Sequence, residues 1–408
     1  MQAAGLALWL LLFGLSDPAA AALVQLGVDT LEAQNFSGLQ GLRVGLVTNP
    51  TGVDSKGVST IQVLRQAPGV HLVALFGPEH GLDGKVKAGE PVAHATDPAT
   101  GLPVYSLYGA TRKPLPQMLR GIDVMVYDVQ DIGVRSYTFI STLGLVMQAA
   151  AEAGIKVAVL DRPDPLGGVR IEGGGVDATW RSFVGQYDIP YVYGMTPGEM
   201  ACWINGHWLA KPCKLQVYKM TGWKRNMIWE DTGLRWIPTS PNIPRAKCSE
   251  GYVATGLLGE IGITNGANVS SNPFEVVADT MINPGVLAQR FNALGFAGLS
   301  ATALSFFPSS GNYTRVQFHG MRLLIDSRRS ANLFAVNFQI LDLLRQLYPA
   351  RNYMGKASRD SIVMFDKLNG GSQNRLLWQS GRSAQDLMAT WKAREQSWRQ
   401  ERQPYLLY

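Results

Sequence analysis

Between Gly41 and Leu160, short apolar runs alternate with stretches of helical spacing, a pattern that predicts βα units around a mostly parallel sheet. Residues 43–47, 71–76, 124–127 and 157–160 read as strands, and 58–66 and 138–153 as helices. In the second helix Phe139, Leu143, Val146 and Met147 recur at spacings of three and four, one apolar face for the sheet to cover. After Arg162 the pattern gives way to Pro- and Gly-rich loops with scattered aromatics, and a second domain is expected to begin between residues 180 and 250. To it are assigned a helix near 196–209, opened by Thr196-Pro197-Gly198-Glu199 with Pro in its first turn, and strands over 214–219 and 315–325. From Ser383 onward an amphipathic helix is expected, with Leu387, Trp391 and Trp398 on one side packed on the body of the protein.

Composition narrows the class. With 408 residues, 46% hydrophobic and 17% charged, the chain can bury a large core, which excludes disorder and a single small domain. The net charge of +6 is too weak to imply a nucleic-acid partner. The apolar run from Leu6 to Leu15 is short of the roughly 20 residues a membrane span needs. It is followed by Ser16-Asp17-Pro18 and four alanines, so residues 1–22 read as a signal peptide cleaved near Ala22, although its start carries no Lys or Arg. A secreted or periplasmic protein without a transmembrane anchor in its mature chain is expected. Cys202, Cys213 and Cys248 have no metal-type spacing, and both a Cys202–Cys213 bridge and three buried thiols remain open.

The chemistry concentrates beyond the strand ends. Residues 71–76 run into Gly77-Pro78-Glu79-His80-Gly81, residues 124–127 into Asp128 with Asp131 after it, and residues 157–160 into Asp161. Ligands of open parallel sheets bind outside the carboxyl ends of the strands, so these acids are expected to share one crevice. Paired carboxylates of unequal acidity are what glycoside hydrolysis requires. Taken singly, Asp128 or Asp131 is better explained as a helix cap or a partner of Arg135. Glu79, held between a rigid Pro and a permissive Gly, is the expected catalytic acid, with His80 orienting it or touching substrate. No metal site is expected, because Glu79, His80, Asp83 and His94 lack a ligand spacing, and no cofactor either: glycine fingerprints for nucleotides and a Gly-x-Ser-x-Gly elbow are absent.

Several motifs resemble one family in the right order: Gly45-Leu46-Val47-Thr48-Asn49-Pro50-Thr51-Gly52, Phe76-Gly77-Pro78-Glu79-His80-Gly81, Asp128-Val129-Gln130-Asp131-Ile132-Gly133-Val134-Arg135-Ser136-Tyr137-Thr138, Leu160-Asp161-Arg162-Pro163-Asp164-Pro165 and Pro238-Thr239-Ser240-Pro241-Asn242. They look like the DUF1343 proteins, exo-β-N-acetylmuramidases of the NamZ type. The resemblance implies an α/β fold with a Rossmann-like, mostly parallel sheet domain, placed at 23–245, and a smaller α+β domain, placed at 246–408, that contributes to the cleft. It implies release of terminal N-acetylmuramic acid from peptidoglycan-derived saccharides, with Glu79 as the catalytic residue; for the second group, Asp128 or Asp131 attacking or activating water and attack by the substrate's own acetamido group both stay open. It also implies a cleft lined by Asn49, His80, Gln130, Arg135, Tyr137, Asp161, Arg162, Ser240 and Asn242. One departure stands out: where many relatives carry a Ser-Glu-Gly-Arg-Gly-Thr stretch before Pro-Phe-Glu, this chain has Asn268 in place of the Arg. A lactyl carboxylate is suited to an Arg fork, so weaker binding of muramic acid, a different glycan, or recruitment of Arg135 or Arg162 is expected. A non-catalytic exported carbohydrate-binding protein is the alternative.

Overall fold

In the computed structural model, residues 24–311, 313–329 and 331–408 are described; the expected signal peptide lies outside them. Seven strands form the first sheet: β1 (Arg43–Thr48), β2 (His71–Gly77), β3 (Ala95–Thr96), β4 (Pro103–Ser106), β5 (Val124–Asp128), β6 (Lys156–Leu160) and β7 (Lys214–Tyr218). Their order is β3-β4-β2-β1-β5-β6-β7, and all neighbours run parallel except β3 against β4. β5 is buried along its whole length, as a central strand covered on both faces must be, which is why it reads as an unbroken apolar run.

One face is covered by helix Phe139–Ala153, whose apolar side includes Phe139, Leu143, Val146 and Met147, all buried. The opposite face is covered by Gly27–Ala33 and Thr60–Gln66, which close a separate apolar cluster over Val44, Leu46 and Val126. Helix Pro197–Trp203 carries Pro197 in its first turn, as expected, and a capping box at Thr196 and Glu199, and it ends in a π turn over Ile204–Trp208. It belongs with the first sheet, and so does β7, which pairs with β6. The assignment of residues 196–219 to a second domain is therefore corrected: β7 completes the parallel sheet.

The second sheet is antiparallel, β8 (Val276–Asp279), β9 (Leu299–Phe306) and β10 (Phe318–Ile325), in the order β8-β10-β9, with helix Pro284–Asn292 against it and helix Leu333–Leu347 packed on that helix. The final helix, Ala384–Glu401, buries Leu387, Trp391 and Trp398 as expected. Trp398 donates through Nε1 to the Tyr193 carbonyl at 2.8 Å and meets the Trp203 ring edge-on, so the end of the chain locks onto the first sheet's helical layer. All three cysteines are free thiols. Among the described residues no helix is long and apolar enough to cross a membrane.

Candidate active site

Immediately beyond β2, Pro78–Gly81 forms a turn closed by the Gly81 N–H donating to the Pro78 carbonyl at 3.0 Å. His80 takes φ +70° at the turn's third position, where glycine is usual, and Gly81 follows at φ +80°. A bulky residue in the left-handed region is a local cost that the surroundings hold in place. His80 Nδ1 lies 2.7 Å from the Val86 carbonyl, and because a carbonyl only accepts, that nitrogen carries the proton. The turn projects Glu79 from its corner. Glu79 Oε1 accepts from the Gly89 N–H at 2.9 Å and Oε2 from the Thr138 hydroxyl at 2.6 Å, so the carboxyl group is fixed at both ends.

Glu79 borders a cavity of about 660 Å³ between the two sheets. From the first sheet come Glu79, His80, Gly89, Tyr108 and the segment Ser136-Tyr137-Thr138; from the other side come Ser240, Asn242, Tyr252, Glu260 and Asn265, with Tyr313 and Phe318 of the β9–β10 hairpin. Tyr137 donates to Thr239 Oγ1 at 2.8 Å and packs edge-on against Tyr252. Asn242 and Asn268 exchange two hydrogen bonds, Nδ2 to Asn268 Oδ1 at 2.9 Å and the Asn268 N–H to Asn242 Oδ1 at 2.8 Å. Among the described residues the lining contains two carboxylates, Glu79 and Glu260, and neither Lys nor Arg. Burial raises the Glu260 carboxyl above its ordinary pKa, and no hydrogen bond holds it among the described residues. Tyr108 is pushed up to about 12 by burial and by the neighbouring Glu79 charge.

Of the residues singled out in the sequence, Glu79, His80, Tyr137, Ser240 and Asn242 line this cavity. The others sit at the strand ends but turn inward. Asp128, fully buried, accepts from Arg162 Nε at 2.5 Å and from the Thr60 hydroxyl. Arg162 also donates to the Val53 carbonyl at 2.7 Å. Asp131 accepts from the Ile132 and Gly133 N–H groups and the Tyr193 hydroxyl, and burial pushes it up to about 7. Asp161 accepts from the Thr196 and Tyr408 hydroxyls and the Gly198 N–H, tying the start of one helix to the last residue; burial pushes it up to about 6. Asn49 braces Thr51 through its Oδ1, and Gln130 donates to the carbonyls of Asp131 and Pro163. Gln130 and Arg162 border a separate depression of about 160 Å³. Arg135, buried, donates to the carbonyls of Gly174, Ile189 and Leu368. Arg135 and Arg162 are thus both committed to internal partners, which corrects the expectation that either replaces a cation missing at Asn268.

Sequence reasoning did not nominate Glu260, Tyr108, Thr138 or Tyr252. Thr138 closes a motif whose preceding Tyr137 was chosen, so adjacency was a usable signal. Glu260 lies on a single 3₁₀ turn, Leu258–Ile261, with no flanking motif to mark it.

The family model for the N-terminal part of the exo-β-N-acetylmuramidase NamZ matches residues 44–247, and that for its C-terminal part matches residues 250–408. The chain belongs to the NamZ family. Its relative in Bacillus subtilis (strain 168), a peptidoglycan β-N-acetylmuramidase, is 37% identical over 94% of this chain and 91% of that protein. Two crystal structures of DUF1343 family proteins from Bacteroides fragilis share the fold. One has a TM-score of 0.89 at 43% identity and the other 0.71 at 27%; each covers 94% of this chain and 99% of its own. The solved relatives thus share the fold over nearly the whole chain.

Proposed function

We propose that this NamZ family member is an exo-acting glycosidase that releases terminal N-acetylmuramic acid from peptidoglycan fragments, with Glu79 as the general acid. The observation that carries the reading is Glu79's placement: a carboxyl pinned by Gly89 and Thr138 on the wall of a cavity with one further carboxylate. Substrate binding delivers the glycosidic oxygen to Glu79. In the donor state Glu79 directs its single proton to the glycosidic oxygen, while the Gly89 N–H and the Thr138 hydroxyl go on donating to its oxygens. As the leaving oxygen takes the proton and the glycosidic C–O bond breaks, positive charge builds at the anomeric carbon; Glu260 supplies the negative charge and takes a proton from the water whose oxygen bonds to that carbon. A carbohydrate-binding protein without turnover would need no second, unpartnered carboxylate here. Release of 4-nitrophenol from its β-N-acetylmuraminide is the direct test, and binding without release would sink the proposal. Asp128, Asp131 and Asp161 serve on this reading as internal anchors.

Glu260 gives the reaction a pH signature. Its raised pKa moves the formation of its charged form to higher pH than for an ordinary glutamate, so kcat/KM rises with pH on an acid limb shifted in that direction. Glu260→Gln is expected to lower kcat/KM by about 10²-fold and to abolish the acid limb; a variant that keeps the wild-type limb assigns it to another group.

We also infer export, from the apolar run and alanines of residues 1–22. Intact mass of the protein from its native host should correspond to a chain beginning close to residue 23, and a full-length mass refutes the processing.

A further inference from the structure

We infer that Arg112 is the specificity residue for the acidic substituent of the sugar: its guanidinium, held at the cavity rim by two aromatic rings, takes the lactyl carboxylate of N-acetylmuramic acid. The inference rests on the muramidase reading and adds to it the residue that distinguishes the acid from its neutral counterparts.

The cavity poses an electrostatic problem. Its acidic lining is Glu79, the proton donor, and Glu260, the negative charge, so an anionic sugar entering it loses hydration and meets like charge at Glu260. A cation is needed near the wall, and the guanidinium groups around the cavity are mostly spent. Arg135 is buried on three carbonyls and Arg162 on Asp128. Arg245 and Arg322 both grip Glu275. Asn268 is uncharged and has its side chain and N–H bonded to Asn242.

Arg112 differs from all of these. Its Cζ lies 4.5 Å from the centroid of Phe183 and 5.3 Å from that of Tyr108, rings that are themselves 5.8 Å apart. Tyr108 lines the cavity beside Glu79, and Val184, next to Phe183, lines it too. Arg112 is exposed, and no carboxylate or carbonyl holds it among the described residues. Contact with the aromatic faces orients the guanidinium, and with one N–H engaged by the Tyr108 hydroxyl its remaining in-plane donors can take a carboxylate in bidentate fashion. Pre-orientation by the rings lowers the entropy that capture costs.

The experiment compares hydrolysis of 4-nitrophenyl β-N-acetylmuraminide with that of its lactyl amide, which has the same shape without the charge. Wild type should favour the acid by about 10- to 100-fold in kcat/KM, the range expected for charge-assisted hydrogen bonds. In Arg112→Met the acid-to-amide ratio should collapse toward 1, chiefly through KM for the acid, and Arg112→Lys should fall between. Raising the salt should reduce the wild-type ratio, since the pair is at the rim. Arg112→Met with the wild-type ratio overturns the inference, as does an equal fall for both substrates, which marks a role in bracing Tyr108 and Phe183. Wild type that cleaves acid and amide equally leaves the muramidase reading standing and removes Arg112 from it; wild type that cleaves neither removes both.

Discussion

Glu79→Gln is expected to slow release of N-acetylmuramic acid from a muramyl disaccharide by about 10²- to 10⁴-fold, the contribution a positioned general acid makes. The amide preserves the size and most of the contacts: its oxygen can accept from Gly89 and its NH₂ can donate to Thr138 Oγ1, the two groups that fix Glu79. What it cannot do is give up a proton at neutral pH. The leaving group therefore diagnoses the role. A sugar alcohol departs poorly without protonation, whereas dinitrophenol departs as its anion, so the loss should shrink to about tenfold or less for a dinitrophenyl muraminide. Losses of equal size for both substrates would mean that Glu79 binds or orients the sugar rather than protonating the leaving oxygen.

Arg162→Met is expected to cost about 3–5 kcal/mol of stability, the usual penalty for stranding one member of a buried ion pair. Asp128 is fully buried with Arg162 as its cationic partner, and Thr60 alone cannot compensate the charge left behind. Arg162 also satisfies the Val53 carbonyl, which the substitution orphans. Urea unfolding should show the midpoint fall with little change in slope. The folded fraction should retain kcat/KM within about threefold, because neither residue lines the Glu79 cavity. A stable Arg162→Met protein that loses catalysis would return Asp128 and Arg162 to the chemistry.

These two sites show how differently acids at strand ends are used. In the sequence, Glu79, Asp128, Asp131 and Asp161 each follow an apolar run, and only the flanking Pro78 and Gly81 set Glu79 apart. The four do arise at the same edge of the folded sheet. Yet the crevice flanking β1, where a ligand is expected in such sheets, is filled by the protein's own Asp128, Thr60 and Arg162, and the open cavity lies where the second sheet approaches the Glu79 turn.

Strands β1, β2, β5 and β6 were legible because parallel strands covered on both faces must be apolar throughout, a property of each segment alone. The Glu79 turn was legible for a similar reason: Pro78 and Gly81 act on their own backbone dihedrals. β7 was read as a strand but placed in the wrong unit, since its half-exposed Lys214–Tyr218 alternation says that it is an edge and not which sheet it edges. Strands β8 and β9 were not read, and β9 exposes many of its residues, leaving little hydrophobic contrast to detect. Glu260 and Arg112 carry no local signal at all. One gains its place from a 3₁₀ turn brought opposite Glu79, the other from rings 4 and 71 positions away along the chain. Sequence by itself determined what depends on neighbours in the chain, namely burial period, turn geometry and the supply of acids at one edge. Which of those acids face solvent, and which cation they meet, was decided only by tertiary packing, because desolvation and charge pairing depend on distances in space rather than along the chain.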